Sequence, residues 1–357
     1  MKIKIIKIIF FNLFIFVAGK AYEIGSCFIG NERRVPHPNE DRFCILDKKG
    51  DPEKPYDFLI GVFDGHGGSG VSEFLCNNTA AKFEGNLKEK QGEVAQALQQ
   101  TFSTLDEQIK IGNSGSTGVA CCLKGGILRV ANVGDSRAVL YRVGGFENTV
   151  DHKPVVGTDE ATRIIDTGGV IECSWILNLT EQRFVSLSKR FLPKDECFWF
   201  YTDSPQKIDD NDCCEALNNC FLRGEEITLV FEGVEISCSS GEKEWFVIKQ
   251  ISDQTYDSLA MSRSFGDHIF KQIGVTAVPD IYTWPLQQGD KFLVLATDGL
   301  WDVMSNEQVG NFVGWCCEIG QNAQLISEIL CRQARELGSS DDITVVVVLF
   351  EESDFVK

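Results

Sequence analysis

Short apolar runs, most of them ending at a charged or glycine residue, recur along the chain. Six of them predict buried strands: Phe58–Phe63, Gly118–Leu123, Ile127–Val133, Ala138–Val143, Phe292–Ala296 and Ile343–Phe350. Apolar positions at helical spacing predict four helices: Gly70–Phe83, Glu93–Ile109, Asn306–Glu318 and Ala323–Glu336. We expect Ser69 to cap the first helix and Ser305 the third. Because the strands come in meandering groups with helices between them, the pattern favours an α+β sandwich over a doubly wound sheet.

Residues from about 171 to 255 show neither the apolar runs that predict strands nor the helical spacing of apolar residues. The stretch holds six cysteines, none in a CxxC pair that would indicate zinc: Cys173, Cys197, Cys213, Cys214, Cys220 and Cys238. We interpret it as a cysteine-rich insertion, and a small disulfide-stapled subdomain is one interpretation of its fold. Cys121-Cys122 and Cys316-Cys317 lie instead inside apolar runs, where free buried thiols are expected.

The first 21 residues differ in composition from the rest. Three lysines precede a short apolar run at residues 8–17, and small residues follow it. This order is typical of a secretory signal peptide, and the run is short for a membrane span. We expect residues 1–21 to direct the protein to the secretory pathway or to secretion, with an uncleaved membrane anchor as the alternative. No second long apolar segment follows, so residues 22–357 are not expected to be embedded in a membrane.

The net charge of the chain limits which classes of molecule it can be expected to bind. The chain is 43% hydrophobic and 24% charged, as in packed globular proteins, and its formal net charge is −18. Such a chain repels nucleic acids and anionic membranes, so neither is expected as a partner. The excess of carboxylates is typical of a solvated surface. Clustered in a cleft, however, carboxylates would attract divalent cations.

Carboxylates stand at the ends of five apolar runs: Asp64, Asp135, Asp298, Asp341-Asp342 and Glu40-Asp41. A single Asp-Gly at a strand end is most often a turn. If these strand ends converge, however, the carboxylates would repel one another strongly unless a cation were present. Sites made of oxygen ligands suit Mg²⁺ or Mn²⁺. One carboxylate that bridges two ions is the arrangement used for phosphate-ester hydrolysis.

Eight ordered motifs give the chain a specific resemblance to the metal-dependent Ser/Thr protein phosphatases of type 2C, the PPM family. They are Asn39-Glu40-Asp41-Arg42, Val62-Phe63-Asp64-Gly65-His66-Gly67-Gly68, Ser114-Gly115-Ser116-Thr117, Asn132-Val133-Gly134-Asp135-Ser136-Arg137-Ala138, Asp151-His152-Lys153-Pro154, Leu259-Ala260-Met261-Ser262-Arg263-Ser264-Phe265-Gly266-Asp267, Ala296-Thr297-Asp298-Gly299-Leu300-Trp301-Asp302 and Ser340-Asp341-Asp342-Ile343-Thr344. The resemblance covers about residues 25–170 and 256–350. It implies a central antiparallel β-sandwich flanked by helices, with a metal site at one end between the sheets.

The resemblance also implies the metal ligands. By position in the motifs, Asp64 should bridge two Mg²⁺ or Mn²⁺ ions, and the Gly65 carbonyl should bind one of them. Asp298 and Asp341 should bind the other. A hydroxide activated by the two ions would then attack the phosphorus in line.

The remaining site residues follow from the same motifs. Glu40 and Asp41 should hold metal-bound waters, and Asp135 and Asp302 match residues that hold a third, weaker ion. His66 matches the general acid, which gives a proton to the leaving serine or threonine oxygen. An imidazole titrates in the range that this role requires.

The match departs from the family pattern at two positions near the site. Where the family usually has a phosphate-binding arginine, four residues before Glu40, this chain has Pro36. We expect the loop to bulge so that Arg34 reaches the phosphate. The family also usually has Asp-Asn where this chain has Asp341-Asp342. The insertion at 171–255 is the third departure.

The sequence therefore predicts a metal-dependent protein serine/threonine phosphatase, acting on phosphoproteins as a monomer. The alternative is a pseudophosphatase or secreted effector that binds phosphoproteins without turnover. A disulfide-rich secreted binding module is a further alternative, but it leaves the strand-end aspartates unexplained. Because Asp64, Asp298 and Asp341 are all present, the enzyme is favoured.

Overall fold

The computed structural model describes residues 22–31, 38–49, 51, 55–179, 183–191, 197–201, 204–207, 227–231, 234–238, 243–252 and 255–351. The predicted signal peptide, residues 1–21, lies outside the described residues, as do Arg34 and Pro36. The side chains of the six cysteines in the predicted insertion also lie outside the described part, and with them any disulfide pairing among these cysteines.

Two five-stranded antiparallel sheets form the centre of the molecule. Sheet A has the order β1-β21-β20-β8-β9, with strands at Tyr22–Ile29, Ile343–Phe350, Phe292–Ala296, Arg137–Arg142 and Gly145–Asn148. Sheet B has the order β19-β7-β6-β3-β2, with strands at Asp280–Pro285, Ile127–Val133, Gly118–Lys124, Phe58–Phe63 and Arg42–Asp47. All six predicted strands are present, with ends that shift by no more than one residue.

Helices cover the outer face of each sheet. Sheet B packs against two of them, α1 (Gly70–Glu89) and α2 (Val94–Gln108). Sheet A packs against α6 (Asn306–Glu318) and α7 (Ala323–Glu336). Three shorter helices complete the described set: α3 at Asp159–Asp166, α4 at His268–Lys271 and α5 at Asp298–Trp301. In the described part of the chain, no helix has the length and apolar character needed to cross a bilayer.

Alternate side chains of the central strands fill different layers. In β3, Phe58, Ile60 and Val62 pack between the two sheets, whereas Leu59 and Phe63 pack outward against α1 and α2. Strand β21 alternates in the same way between the central layer and the layer of α6 and α7. Because both faces of these strands are covered, the strands are apolar without interruption, which is why they stand out in the sequence.

The two predicted helix caps have different outcomes. The Ser305 hydroxyl accepts a hydrogen bond from the Gln308 backbone at 3.3 Å, and the Gln308 side chain accepts one from the Ser305 backbone at 2.8 Å. This capping box confirms the first residue of α6. The prediction for Ser69 is wrong, because its side chain makes no capping hydrogen bond. Ser69 has ψ near 1°, whereas a capping side chain needs an extended backbone to reach back to the helix.

The segment that breaks the sequence pattern contains regular strands. Six antiparallel strands have the order β13-β12-β11-β10-β16-β17, at Ser204–Lys207, Cys197–Tyr201, Arg183–Phe191, Val170–Leu179, Lys243–Ser252 and Thr255–Leu259. A separate hairpin joins β14 (Ile227–Phe231) to β15 (Val234–Cys238). Ile171, Val247 and Leu259 of the larger sheet pack against α3 and α4. The base of this segment is therefore part of the packed fold.

Four cysteines were expected to be free buried thiols. Cys121, Cys122 and Cys316 are free and buried, as predicted. Cys317 is free but exposed, so the prediction is wrong for this residue. It follows Cys316 on α6, and neighbouring positions of a helix point in different directions, so only one of the two can face sheet A.

Candidate active site

Antiparallel pairing brings the predicted carboxylates to one end of the sandwich. In sheet B the first residue of β2 pairs with the last residue of β3, which makes Asp41 and Asp64 neighbours. In sheet A the end of β20 pairs with the start of β21, which brings Asp298 beside Asp341. Asp135 follows β7 at the same end of sheet B, because β6, which lies between β7 and β3, pairs antiparallel with both.

Asp41 joins the two sheets at this end. Its Oδ2 accepts hydrogen bonds from the hydroxyls of Thr297, at 3.0 Å, and Thr344, at 2.8 Å. The side chain is 1% exposed, and its second oxygen, Oδ1, has no hydrogen-bond partner. Burial raises the pKa of Asp41 to about 7, the two threonine hydroxyls oppose the shift, and the nearby Asp342 and Asp341 carboxylates add to it.

Asp64 and Asp298 are close enough to repel each other. Burial raises the pKa of Asp64 well above its usual range, and the charge of Asp298 is the next cause. Burial raises the pKa of Asp298 in the same way, followed by the charges of Asp135 and Asp302. A metal-free site cannot hold all these charges without protons or a cation to compensate them.

The residues at this end of the sandwich fit divalent cations with water-rich coordination. Within the described residues, no three His, Cys, Asp or Glu side chains form a ready ligand set around one point. Mg²⁺ retains several of its waters and binds through one or two carboxylates, so a closed protein cage is not needed. Two buried carboxylate oxygens, Oδ1 of Asp41 and Oδ1 of Asp135, lack a hydrogen-bond partner, and buried polar atoms of this kind require one. An ion or its waters would supply that partner.

The metal-free protein should lose stability as the pH rises. A carboxyl group whose pKa is higher in the folded than in the unfolded state binds more protons when folded, so ionisation destabilises the fold. For Asp41 this loss of stability falls between about pH 3.8, the pKa of an ordinary aspartate, and about pH 7, its raised pKa in the fold. In EDTA we expect the melting temperature to fall by roughly 5 °C or more between about pH 5 and pH 8. Excess Mn²⁺ should remove most of this slope. A slope that is the same with and without metal would contradict the interpretation.

Both Asp-Gly pairs at this site need glycine for close packing. A Cβ on Gly65 would lie 2.5 Å from the Glu40 carbonyl oxygen and 2.7 Å from Ser72 Oγ. A Cβ on Gly299 would overlap the Asp342 carbonyl. Neither glycine has a positive φ, so the pairs are not explained by turn geometry. The glycines instead let each aspartate loop press against the loop that carries the next carboxylate.

His66 is held by an aspartate from a distant part of the chain. A small sheet of β4 (Gly65–His66), β5 (Gly115–Ser116) and β18 (Phe265–Gly266) places His66 and Asp267 on either side of Gly115. His66 Nε2 donates to Asp267 Oδ2 at 2.7 Å, across the space where a Gly115 side chain would be. Burial alone would lower the pKa of His66, but Asp267 raises it above its usual value.

Asp342 holds the loop that contains the departure from the family pattern. Its Oδ1 accepts hydrogen bonds from the Asn31 backbone at 2.7 Å and the Asn31 side chain at 2.9 Å. Its Oδ2 accepts one from the Glu40 backbone at 2.8 Å. The second carboxylate of the Asp341-Asp342 pair therefore fixes both ends of the segment from 31 to 40. Arg34, within that segment, lies outside the described residues.

The other predicted residues lie around the same end of the sandwich. Glu40 is partly buried just before β2, and Asp302 is exposed at the end of α5. Two further residues at this end, Asp267 and Lys153, had no predicted role, and the ammonium group of Lys153 forms an ion pair with Asp135. Both residues belong to sequence motifs on which the resemblance to the family rests, so these motifs could have indicated a role for them.

The family model of protein phosphatase 2C matches residues 26–187 and 242–343. The chain belongs to the protein phosphatase 2C family. Members of this family are metal-dependent protein serine/threonine phosphatases, as the sequence analysis predicted. Residues 188–241, which the family model leaves unmatched, lie inside the predicted insertion, whose bounds of about 171 and 255 stay a prediction.

Two relatives and one crystal structure illustrate the similarity. The chain is 25% identical over 354 residues to probable protein phosphatase 2C 65 of Arabidopsis thaliana, covering 89% of this chain and 75% of that one. It is 31% identical over 304 residues to probable protein phosphatase 2C 71 of the same plant, covering 83% of this chain and 49% of that one. The chain thus spans three quarters of one relative and about half of the other.

A crystal structure of serine-threonine phosphatase 2C from Toxoplasma gondii has a similar fold. The TM-score is 0.60 at 23% identity, and the match covers 94% of this chain and 96% of that chain. This likeness confirms the predicted α+β sandwich of the phosphatase 2C type.

Proposed function

We propose that this chain hydrolyses phosphoserine and phosphothreonine esters of proteins with two divalent cations, Mg²⁺ or Mn²⁺, bound at the strand-end carboxylates. The observation that carries this proposal is the convergence of Asp41, Asp64, Asp298 and Asp341 from both sheets at one partly accessible end. Bound there, such ions supply an activated water and neutralise the charge of the phosphoryl group.

The ligands follow from the position of each residue. Asp64 lies within electrostatic reach of Asp298, Asp41 and Asp341, so it would be a shared ligand of the two ions, with the Gly65 carbonyl as a further ligand. Asp298 and Asp341 would complete the ligand set. Waters on the ions would give the unpartnered Oδ1 of the buried Asp41 its hydrogen bond, and Glu40 would hold such waters too.

A third ion would bind at two further carboxylates close to Asp298. They are Asp135, which is 1% exposed, and Asp302, which is exposed. The charges of both raise the pKa of Asp298, so they lie within electrostatic reach of the ligand set.

His66 supplies the proton that the leaving oxygen needs. Because Nε2 is engaged by Asp267, Nδ1 is the ring nitrogen that remains to donate a proton to a substrate. The raised pKa favours the protonated imidazole, which is the form that a general acid needs. Arg34 is our candidate for contact with the substrate phosphate, and an Arg34→Ala variant with unchanged KM for a phosphopeptide would contradict this role.

Release of phosphate from a phosphoserine peptide tests the function. We expect turnover with Mn²⁺ or Mg²⁺ and none in EDTA, with recovery when the metal is restored. If the protein is instead a binding protein without turnover, the peptide will bind but no phosphate will appear at any metal concentration. That result would overturn the proposal.

We also propose that residues 1–21 carry the chain into the secretory pathway and that the mature protein is a monomer. The lysines, the apolar run and the small residues that follow support the first part. Mass spectrometry of the N terminus of protein expressed in eukaryotic cells would locate the cleavage. An intact N terminus on membrane-bound protein would indicate the anchor instead.

A further inference from the structure

Lys153 provides a positive charge inside the carboxylate cluster. Its ammonium group forms an ion pair with Asp135 Oδ2, and its side chain is 33% exposed, whereas that of Asp135 is 1% exposed. Burial alone would lower the pKa of Lys153, but the charges of Asp135, Asp298 and Asp302 raise it. Lys153 therefore offsets part of the negative charge of these three carboxylates.

The backbone holds Lys153 in this place. The His152 backbone donates to the Gly134 carbonyl at 3.0 Å, and the Gly134 backbone donates to His152 Nδ1 at 3.1 Å. These bonds join the loop that carries Lys153 to the loop that carries Asp135. Pro154 restricts Lys153 further, because the residue before a proline favours an extended backbone.

Asp135 still has an unsatisfied acceptor. Oδ2 is engaged by Lys153, but Oδ1 is buried without a hydrogen-bond partner. A buried carboxylate oxygen such as Oδ1 needs a hydrogen-bond donor or a cation as its partner, in addition to the Lys153 ammonium group at Oδ2. A divalent cation held by Asp135 and Asp302 would supply it, but it would stand beside the charge of Lys153. Two cations a few ångströms apart in a partly desolvated site repel each other strongly.

We propose that Lys153 competes with a divalent cation for Asp135 and Asp302 and so keeps the third ion position weak. The proposal rests on the proposed function, since it assumes that divalent cations bind at this site. The ammonium group and the ion are alternative partners of Asp135, and the flexible lysine stem allows the exchange. Lys153 should weaken the third ion more than the ions held by Asp64, Asp298 and Asp341, because its ion pair is with Asp135.

Calorimetric titration of the metal-stripped full chain with Mn²⁺ alone, without substrate, tests the proposal. In Lys153→Met, which removes the charge but keeps the length, we expect the weakest Mn²⁺ to bind at least about tenfold tighter, with a smaller change in the affinity of the tight ions. Lys153→Arg keeps the charge and should bind like the wild type. Lys48→Met is the matched control, because Lys48 also pairs with a carboxylate, Glu84, and lies at the far end of β2.

The outcomes separate the failure of this proposal from the failure of the proposed function. Unchanged or weaker binding of the weakest Mn²⁺ in Lys153→Met would overturn the competition. Loss of affinity for a phosphopeptide with unchanged Mn²⁺ binding would also overturn it and would assign Lys153 to phosphate recognition. If the wild type binds no Mn²⁺ at all, the proposed metal centre itself is wrong. Lys153→Gln gives the same readout should the methionine variant be unstable.

Discussion

Asp64→Asn should lower phosphatase activity by a factor of about 10³ or more, because it removes the carboxylate that bridges the two ions. Asp64 sits at the centre of the cluster, and burial followed by the charge of Asp298 raises its pKa. The amide keeps the size of the side chain but cannot bridge two cations with a negative charge. The loss should appear in kcat at saturating Mn²⁺.

The same substitution should stabilise the metal-free protein. It removes one of several buried, mutually repelling charges, so the melting temperature in EDTA should rise above that of the wild type near pH 8. The gain from added Mn²⁺ should shrink, because fewer ligands remain. A purely structural Asp64 would behave in the opposite way, with lower stability in EDTA and little change in the response to metal.

Gly115→Ala should lower kcat for a phosphoserine peptide by about 10²-fold or more, the usual contribution of a general acid. The added methyl group would overlap both Asp267 Oδ2 and His66 Nε2 and would break the 2.7 Å hydrogen bond between them. Gly115 has no positive φ, so alanine strains no backbone there. The effect should therefore come from the displaced imidazole.

The leaving group distinguishes loss of the general acid from general damage. p-Nitrophenolate is a weak base that departs without a proton, so hydrolysis of p-nitrophenyl phosphate should be affected much less than hydrolysis of phosphoserine. Gly112→Ala is the matched control, because a Cβ there meets no atom within 4 Å. Equal losses on both substrates would contradict the role of the His66–Asp267 pair.

The central layers were predictable because their residues are covered on both sides. Strands such as Phe58–Phe63 and Ile343–Phe350 leave an uninterrupted apolar signature. β1, β2 and β19 each expose some of their side chains, and their mixed composition gave no comparable run. The strands between 170 and 259 escaped prediction although most of them pair with the next strand along the chain, as Leu179 does with Arg183. Their polar and apolar residues are mixed and gave no sustained apolar run.

Site residues that stand next to an apolar run could be predicted from the sequence. Residues that act through a partner far along the chain could not. The aspartates follow or precede apolar runs, so their convergence could be inferred. Asp267 reaches His66 across 201 positions of sequence. Asp342 accepts hydrogen bonds from the backbone of Asn31 and of Glu40, and no local sequence pattern indicates these long-range contacts.

Anomalous diffraction from crystals grown with Mn²⁺ tests the central claim most directly. The account predicts two strong manganese peaks at the end of the sandwich, one on each side of Asp64, with Asp298 and Asp341 beside one of them. A third and weaker peak should lie at Asp135. Absence of manganese between Asp64 and Asp298 in an active, metal-dependent preparation would contradict the account.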